Sequence, residues 1–209
     1  KSTLLRLMNR LSDLVEGCQR EGAIFFDGQD VFSPEMDVFA LRRRVSMVFA
    51  IPTPLPGTIY ENLTYGLKMA GIRNRSLLDE RVQRSLQQAA LWDEVKDRLE
   101  DSAFALSGGQ KQRLCLARSL ALEPDVILLD NPTSGLDPIS TALVEASLFE
   151  LKERYTVVMV PHSVQQAARV ADRLAFLLDG NVIEVGDESQ IFVNPKDKRT
   201  EDYVTGRFG

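Results

Sequence analysis

Four large aliphatic residues stand in a row at Val126-Ile127-Leu128-Leu129, and Asp130 follows them directly. An uninterrupted apolar run of this kind is typical of a strand that is buried on both faces of a parallel sheet. The carboxyl ends of parallel strands form the edge at which open α/β sheets bind their ligands. The run therefore predicts an α/β fold with Asp130 at a ligand-binding edge, although an aspartate that merely follows a strand as a cap looks the same in isolation.

The chain begins with Lys1-Ser2-Thr3, which matches the end of the phosphate-loop pattern G-x-x-x-x-G-K-[ST]. In proteins with this loop the Lys reaches the β and γ phosphates, the Ser or Thr ligates Mg²⁺, and an aspartate after a strand orients the metal. We expect these roles for Lys1, Ser2 and Asp130, with Thr3 beside them. The glycines do not precede Lys1, which predicts that the first strands and the loop proper are missing and that nucleotide binding is poor without them. Three terminal residues alone would more often be a solvated end.

The rest of the chain alternates between strand-like runs and helical patterns. Strands are predicted at Ala23–Phe26, Val45–Phe49, Val157–Val160, Leu174–Leu178 and Val182–Val185, with hairpin turns at Asp27-Gly28 and Asp179-Gly180. Helical spacing runs from Ser2 to Leu14, and an apolar stripe at Leu78, Val82, Leu86 and Ala89 predicts a packed helix. Between them the Pro-rich segment from Ile51 to Gly57 excludes regular structure. This order predicts a mostly parallel sheet.

Composition excludes several classes of protein. The 209 residues, 44% of them hydrophobic, are enough for one sizeable core. A net charge of −5 argues against a nucleic-acid partner, and Arg42-Arg43-Arg44 is expected to be a solvated helix end. No apolar run approaches the roughly 20 residues of a membrane-spanning helix, so membrane contact would come through partners. Cys18 and Cys115 show no metal-binding spacing and favour a reducing compartment.

Three motifs follow one another along the second half of the chain. They are Leu106-Ser107-Gly108-Gly109-Gln110, Asp130-Asn131-Pro132-Thr133-Ser134-Gly135-Leu136-Asp137, and Pro161-His162 after Val157–Val160. In order and spacing they resemble the signature, Walker B, D-loop and switch histidine of ATP-binding-cassette (ABC) ATPases. The resemblance covers essentially the whole chain. It implies a P-loop, RecA-like core from residues 1–50 and 118–209, interrupted by a helical subdomain, residues 51–117, that carries the Pro-rich coupling segment and the signature motif.

Further segments are similar to the ATP-binding subunits of bacterial phosphate importers. They are Leu41-Arg42-Arg43-Arg44-Val45-Ser46-Met47-Val48-Phe49, Pro52-Thr53-Pro54-Leu55-Pro56, Ile59-Tyr60-Glu61-Asn62, Gln165-Gln166-Ala167-Ala168-Arg169-Val170 and the tail Thr200–Arg207. The resemblance implies an ATPase that couples ATP binding and hydrolysis to import of inorganic phosphate. Its partners would be transmembrane permease subunits and, indirectly, a periplasmic phosphate-binding protein. Its place would be peripheral, on the cytoplasmic face of the bacterial inner membrane. Phosphate as cargo rests on resemblance alone, because nothing in such a subunit touches the cargo.

The family also implies a head-to-tail dimer with two composite sites for ATP and Mg²⁺, formed by two identical or two different ATPase subunits. The signature turn of one subunit would contact the γ phosphate bound to the other, since a helix N-terminus with exposed N–H groups suits an anion. The residues of that turn are Ser107, Gly108, Gly109 and Gln110, and Asp137 is expected at the dimer seam. His162, directly after a strand and a proline, is expected to be a γ-phosphate sensor. By themselves, Ser-Gly-Gly could be a flexible loop and a single histidine is more often structural or merely exposed.

Two positions depart from the family pattern. Asn131 stands where members carry the glutamate that polarises the attacking water, and Ala50 stands where they carry the Q-loop glutamine. An amide can orient water but cannot accept its proton at neutral pH, and a methyl group can do neither. We therefore expect the dimer to form with ATP bound between its two subunits, and we expect ATP hydrolysis to be slow. A degenerate nucleotide-gated paralogue, a heterodimer partner that uses another subunit's intact site, and an error in the sequence all remain open.

Two other functions compete with the importer subunit. A non-catalytic or regulatory module is favoured specifically by Ala50 and Asn131. A soluble cassette ATPase of DNA repair or translation is disfavoured, because the chain shows no long heptad insertion, second cassette or basic stripe.

Overall fold

The computed structural model describes residues 1–207. Phe208 and Gly209, the end of the predicted core segment, lie outside the described residues. Contacts divide the chain into two compact units, one of Ser2–Val160 and one of Lys1 with the residues from Pro161 onward. The division of the chain at residues 51 and 117 stays a prediction.

The first unit contains most of the helices and strands. Its helices are α1 (Ser2–Met8), α2 (Val38–Arg44), α3 (Ile59–Met69), α4 (Arg75–Gln88), α5 (Trp92–Val95), α6 (Gly108–Leu120) and α7 (Pro138–Leu151), with 3₁₀ turns at Leu11–Leu14 and Ala103–Ala105. Its strands are β1 (Phe25–Phe26), β2 (Gln29–Asp30), β3 (Val45–Val48), β4 (Val126–Asp130) and β5 (Thr156–Val160). The second unit contains α8 (Val164–Val170), β6 (Arg173–Leu178), β7 (Asn181–Asp187), α9 (Glu188–Phe192) and α10 (Lys198–Val204).

A parallel sheet in the order β3-β4-β5 forms the centre of the first unit. The register pairs Val48 with Leu129 and Asp130 with Val160, so the carboxyl ends of all three strands meet at one edge. The aliphatic residues in the middle of β4 are almost fully buried, as a strand covered on both faces requires. The predicted α/β fold with a parallel sheet is confirmed.

Helices α3, α4 and α6 pack together beside this sheet. The predicted stripe of Leu78, Val82, Leu86 and Ala89 is buried, and it lies on α4 and at its C-terminal cap. The largest of the three hydrophobic clusters joins these helices to residues of β3 and β4. The helical segment therefore shares its apolar core with the strands whose edge carries Asp130.

Two antiparallel hairpins flank the parallel strands in sequence. Strands β1 and β2 join through Asp27-Gly28, and strands β6 and β7 through Asp179-Gly180. All four turn residues have positive φ, which is the backbone of the turns that match the twist of a two-residue hairpin. Both predicted hairpins are present, although β1 is shorter than the predicted Ala23–Phe26.

The first helix and Arg42 differ from expectation. Helix α1 ends at Met8 rather than Leu14, because Arg10 adopts a left-handed backbone with φ 60° and a short 3₁₀ turn follows. Arg42 donates to the backbone carbonyls of Asn9 and Arg10, and Arg44 pairs with Asp27 and Asp125. The run ends α2, and Arg43 and Arg44 are exposed, as the prediction of a solvated helix end requires; Arg42 departs from it, because it is only partly exposed and bonds a segment distant in sequence.

Within residues 1–207, no helix combines the length and apolar character needed to cross a membrane. Cys115 is buried in α6, and burial raises the pKa of its thiol, whereas Cys18 is exposed.

Candidate functional site

Ser2 and Asp130 meet at the carboxyl edge of the parallel sheet. The Ser2 hydroxyl donates to Asp130 Oδ1 at 2.7 Å, and Asp130 is only 6% exposed. Helix α1 brings Ser2 there because Leu5 on the same helix packs into the cluster that contains Leu128 of β4. A hydroxyl beside a carboxylate is a pair of hard oxygen ligands, which is the chemistry that Mg²⁺ prefers.

A magnesium site at this edge would depend on few protein ligands. Among residues 1–207 no group of three or more His, Cys, Asp or Glu side chains is arranged to hold a metal. Mg²⁺ is usually held by one or two protein oxygens together with phosphates and water. The pair of Ser2 and Asp130 fits that pattern.

Asn131 and Ala50 both lie just beyond the carboxyl ends of strands, at the same edge of the sheet. Asn131 has φ 47°, its N–H donates to the carbonyl of Val160 at 2.9 Å, and its side-chain amide reaches Asp130 Oδ1 at 3.4 Å. Asparagine tolerates the left-handed backbone better than most residues. Ala50 lies two residues beyond the end of β3, and Asn131 directly follows the end of the neighbouring strand β4. The two departures from the family pattern therefore lie on neighbouring strand ends.

The signature segment forms a capped helix start. Ser107 is the N-cap of α6: its hydroxyl accepts from the N–H of Gln110, and the Gln110 side chain accepts from the N–H of Ser107 at 3.0 Å. The helix begins at Gly108. Ser107 and Gly108 are exposed while Leu106 is buried. The buried leucine therefore fixes the turn to the core, and the turn itself faces solvent.

A carboxylate from α5 supports this turn. Glu94 Oε2 accepts from Gln110 Nε2 at 2.8 Å, and its other oxygen pairs with Arg113 at 2.6 Å. Burial raises the pKa of Glu94, but the hydrogen bonds from Arg113 and Gln110 outweigh it, and the pKa lies below its usual range. Glu94 is therefore ionised at neutral pH and can only accept hydrogen bonds.

The predicted D-loop residue Asp137 is the N-cap of α7. Its carboxylate accepts from the N–H of Ser140 at 2.9 Å and from the Ser140 hydroxyl at 2.6 Å, and these bonds lower its pKa. Gly109 of α6 packs directly against Ser140. The signature helix and the D-loop of one chain are thus in contact through a glycine and a serine.

The Pro-rich segment is fixed to two helices. Asn62 of α3 is fully buried and bonds both the N–H and the carbonyl of Leu55. Arg118 of α6 donates to the carbonyl of Thr53 at 3.1 Å. Nearer the start of α6, Gln112 is buried and donates to the carbonyl of Phe49 at 3.0 Å, next to Ala50. Large apolar side chains in and after this segment are exposed, including Ile51, Tyr65 and Met69.

Lys1 and His162 belong to the second compact unit. Lys1 and Thr3 are exposed, and Thr3 lies on α1 in the first unit. His162 is exposed directly after Pro161, and its backbone N–H donates to the side chain of Gln166 at 2.9 Å. Ser163 caps the N-terminus of α8, which fixes the start of the helix that follows the histidine.

The structure adds three residues that sequence reasoning missed. Gln112, Ser140 and Glu94 touch predicted site segments but do not belong to them. The pairing of Ser107 with Gln110 could have been read from the capping-box pattern, a Ser followed three residues later by Gln. The partner Glu94 has no local signal, because it lies 16 residues upstream.

Several known proteins are similar to this chain along its whole length. The phosphate import ATP-binding protein PstB of Shewanella denitrificans is 56% identical over all 209 residues, which cover 77% of that protein. The phosphate import ATP-binding proteins PstB 1 of Vibrio parahaemolyticus and of Vibrio vulnificus are each 57% identical with the same coverage. A model of the ABC transporter family matches residues 1–134. The chain therefore belongs to the ABC transporter family.

Proposed function

We propose that this chain is the ATP-binding subunit of an importer for inorganic phosphate, and that it couples ATP binding and hydrolysis to transport. The observation that carries the proposal is the 56–57% identity over the whole chain to proteins named phosphate import ATP-binding proteins. The geometry at Asp130 supports the nucleotide-binding part.

The nucleotide would lie at the carboxyl edge of β4. Lys1 would neutralise β and γ phosphate oxygens, with Thr3 beside it, while Ser2 would ligate Mg²⁺ and Asp130 would hold its hydration shell. When bound, Mg²⁺ would neutralise the charge that develops between the β and γ phosphates. The 2.7 Å bond between Ser2 and Asp130 supports this assignment, because it brings the two oxygen groups to one point.

A second subunit would complete each site. The exposed turn at Ser107 and Gly108, with the N–H groups of α6 behind it, would contact the γ phosphate bound to the other subunit. Gly109 and Gln110 would hold that turn from inside the chain, and Asp137 would lie at the seam. Two sites would then form in a head-to-tail dimer, either from two copies of this chain or from this chain and a different ATPase subunit.

Hydrolysis in this dimer would be slow. The Asn131 amide can orient a water molecule but cannot take its proton, and Ala50 offers no polar group. His162 would still donate a hydrogen bond to the transferring phosphoryl group. A general base typically contributes about 10²–10⁴-fold to the rate of hydrolysis. Without one, the closed, ATP-bound dimer would persist for a long time before ATP is hydrolysed.

The membrane partners would dock near the Pro-rich segment. Exposed Ile51, Tyr65 and Met69 supply apolar surface, and Asn62 and Arg118 hold the segment in place. We propose transmembrane permease subunits as the partners and a periplasmic phosphate-binding protein as an indirect one. The subunit would then be a peripheral component on the cytoplasmic face of the bacterial inner membrane.

A second candidate function is a nucleotide-gated regulatory subunit that does not hydrolyse ATP, and Asn131 with Ala50 favours it specifically. Phosphate release by the full-length protein, measured alone and with its membrane complex, separates the two candidates. Slow but measurable, complex-stimulated turnover supports the importer ATPase, and ATP-dependent dimerisation without turnover supports the regulatory subunit. A protein that neither binds ATP nor dimerises would overturn both.

A further inference from the structure

The side chain of Gln110 is held at both ends. Its Oε1 accepts from the N–H of Ser107 at 3.0 Å, and its Nε2 donates to Glu94 at 2.8 Å. Glu94 in turn pairs with Arg113 at 2.6 Å. A continuous chain of hydrogen bonds thus runs from the exposed signature turn to a buried guanidinium.

Each member of this chain restricts the next. Arg113 is 3% exposed and also donates to the carbonyl of Ala90, so its position is set by the core. An ionised Glu94 can only accept, which forces the Gln110 amide to present its NH₂ group to Glu94 and its oxygen to Ser107. In the opposite orientation the amide oxygen would face the Glu94 carboxylate, acceptor against acceptor, and the NH₂ group would face the Ser107 N–H, donor against donor.

We propose that Glu94 is a positioning residue for the signature turn: by fixing the orientation of the Gln110 amide, it holds Ser107 and Gly108 in the pose that receives the γ phosphate of the facing subunit's nucleotide. The inference rests on the proposed function, since it concerns the same composite site. Glu94 comes from α5, outside the signature motif, and acts only through Gln110. It is therefore required when two subunits close and not when one subunit binds its own nucleotide.

Glu94→Gln tests this with little change in shape. A glutamine at 94 cannot accept from both Arg113 and Gln110, so one donor loses its partner. We expect Mg²⁺-ATP binding by dilute single subunits to be unchanged, and dimerisation driven by a non-hydrolysable ATP analogue to weaken by about tenfold. Fluorescent-nucleotide titration measures the first and analytical ultracentrifugation the second, both on the full-length protein.

A swapped pair supplies the rescue. In Glu94→Gln with Gln110→Glu, the carboxylate at 110 accepts from Ser107 and from the amide at 94, whose oxygen accepts from Arg113, so every bond is restored. We expect the swap to recover most of the lost dimerisation. Asp93→Asn is the matched control, because Asp93 is an exposed carboxylate on the same helix that pairs with Lys96.

The outcomes separate the two proposals. If the unmodified protein neither binds Mg²⁺-ATP nor dimerises with the ATP analogue, the proposed function and this inference both fail. If it binds Mg²⁺-ATP but does not dimerise, this inference fails and the proposed function requires a different ATPase subunit as the partner. If it dimerises and Glu94→Gln dimerises equally well, the positioning role alone is overturned. The same holds if Glu94→Gln loses single-subunit nucleotide binding along with dimerisation and the swap restores neither, because that pattern marks a general structural role for Glu94.

Discussion

Gly109 of the signature helix lies so close to Ser140 of α7 that position 109 has no room for a side chain. A Cβ added at Gly109 would lie 2.7 Å from the Cβ of Ser140 and closer still to its hydroxyl. That hydroxyl is itself bonded to Asp137, the N-cap of α7. The signature helix and the D-loop are therefore in contact, and any side chain added at Gly109 would force the two segments apart.

Gly109→Ala should lower the free energy of unfolding by about 1–3 kcal/mol through overpacking against Ser140. Adding Ser140→Gly should recover part of that loss, giving a coupling energy above about 0.5 kcal/mol in a double-mutant cycle. Urea denaturation measures all four proteins. Gly108→Ala is the matched control, since a Cβ there meets no atom within 4 Å. A Gly109→Ala protein as stable as the Gly108→Ala protein would contradict the contact.

Asn131→Glu combined with Ala50→Gln should raise the rate of ATP hydrolysis by about 10²–10⁴-fold, because a carboxylate at 131 can accept the proton of the attacking water. Stability should fall by about 1 kcal/mol, since Glu tolerates the left-handed backbone at 131 less well than Asn. Phosphate release and thermal unfolding measure the two effects. Fast hydrolysis by the unmodified protein would show that another group acts as the base.

Ser2→Ala should remove the Mg²⁺-dependent part of ATP binding and leave the rest. The substitution deletes the hydroxyl that lies 2.7 Å from Asp130 Oδ1, so one oxygen ligand is lost. The affinity for ATP is measured once with Mg²⁺ present and once with EDTA, which removes it. In the variant the two affinities should become equal, so the EDTA measurement is an internal control. An unchanged ratio of the two affinities would remove Ser2 from the metal site.

Glu184 should stabilise the second compact unit in a pH-dependent way. Hydrogen bonds from the backbone N–H of Lys196, the Gln190 side chain and the N–H of Asp197 lower its pKa to about 2 despite burial. A depressed carboxylate pKa contributes stability above the unfolded-state value, and that contribution is lost as pH falls through the folded-state value.

The measurement compares the unmodified protein with Glu184→Gln. The variant should be less stable at pH 7, and the difference in melting temperature should shrink as pH falls from about 4.5 to about 2. Subtracting one protein from the other removes the contribution of Asp197, whose pKa is also lowered to about 2 by its bonds from Arg199. A difference that is constant over this range would mean that the charge of Glu184 does not contribute.

Ile51→Glu should weaken assembly with the membrane subunits without affecting folding. Ile51 is 78% exposed in the Pro-rich segment, so a charge there costs the isolated protein little. Phe39→Glu is the matched control, because Phe39 is 80% exposed on α2, outside the proposed docking surface. Co-purification with the permease subunits should fall for Ile51→Glu alone; an equal loss for both variants would place the docking surface elsewhere.

The sequence by itself determined the central strands, the packed helix and the hairpin turns, together with their order. The aliphatic run before Asp130, the stripe along α4 and the Asp-Gly turns are local patterns, because burial of a strand, one face of a helix and a two-residue turn each impose a short period on the residues. The motif order likewise indicated the family, which the comparisons confirm. Where local signals were incomplete, as at Arg10, the predicted helix was too long.

Tertiary structure decided which side chains meet. Ser2 and Asp130 are 128 residues apart, Arg44 and Asp125 are 81 apart, and Gln112 and Phe49 are 63 apart. No periodicity records such pairs, because they depend on how packed elements bring distant segments together. The hydrogen bond from Gln110 to Glu94 and the contact of Gly109 with Ser140 arise in the same way. The motif supplies the turn, and the neighbouring helices fix its position.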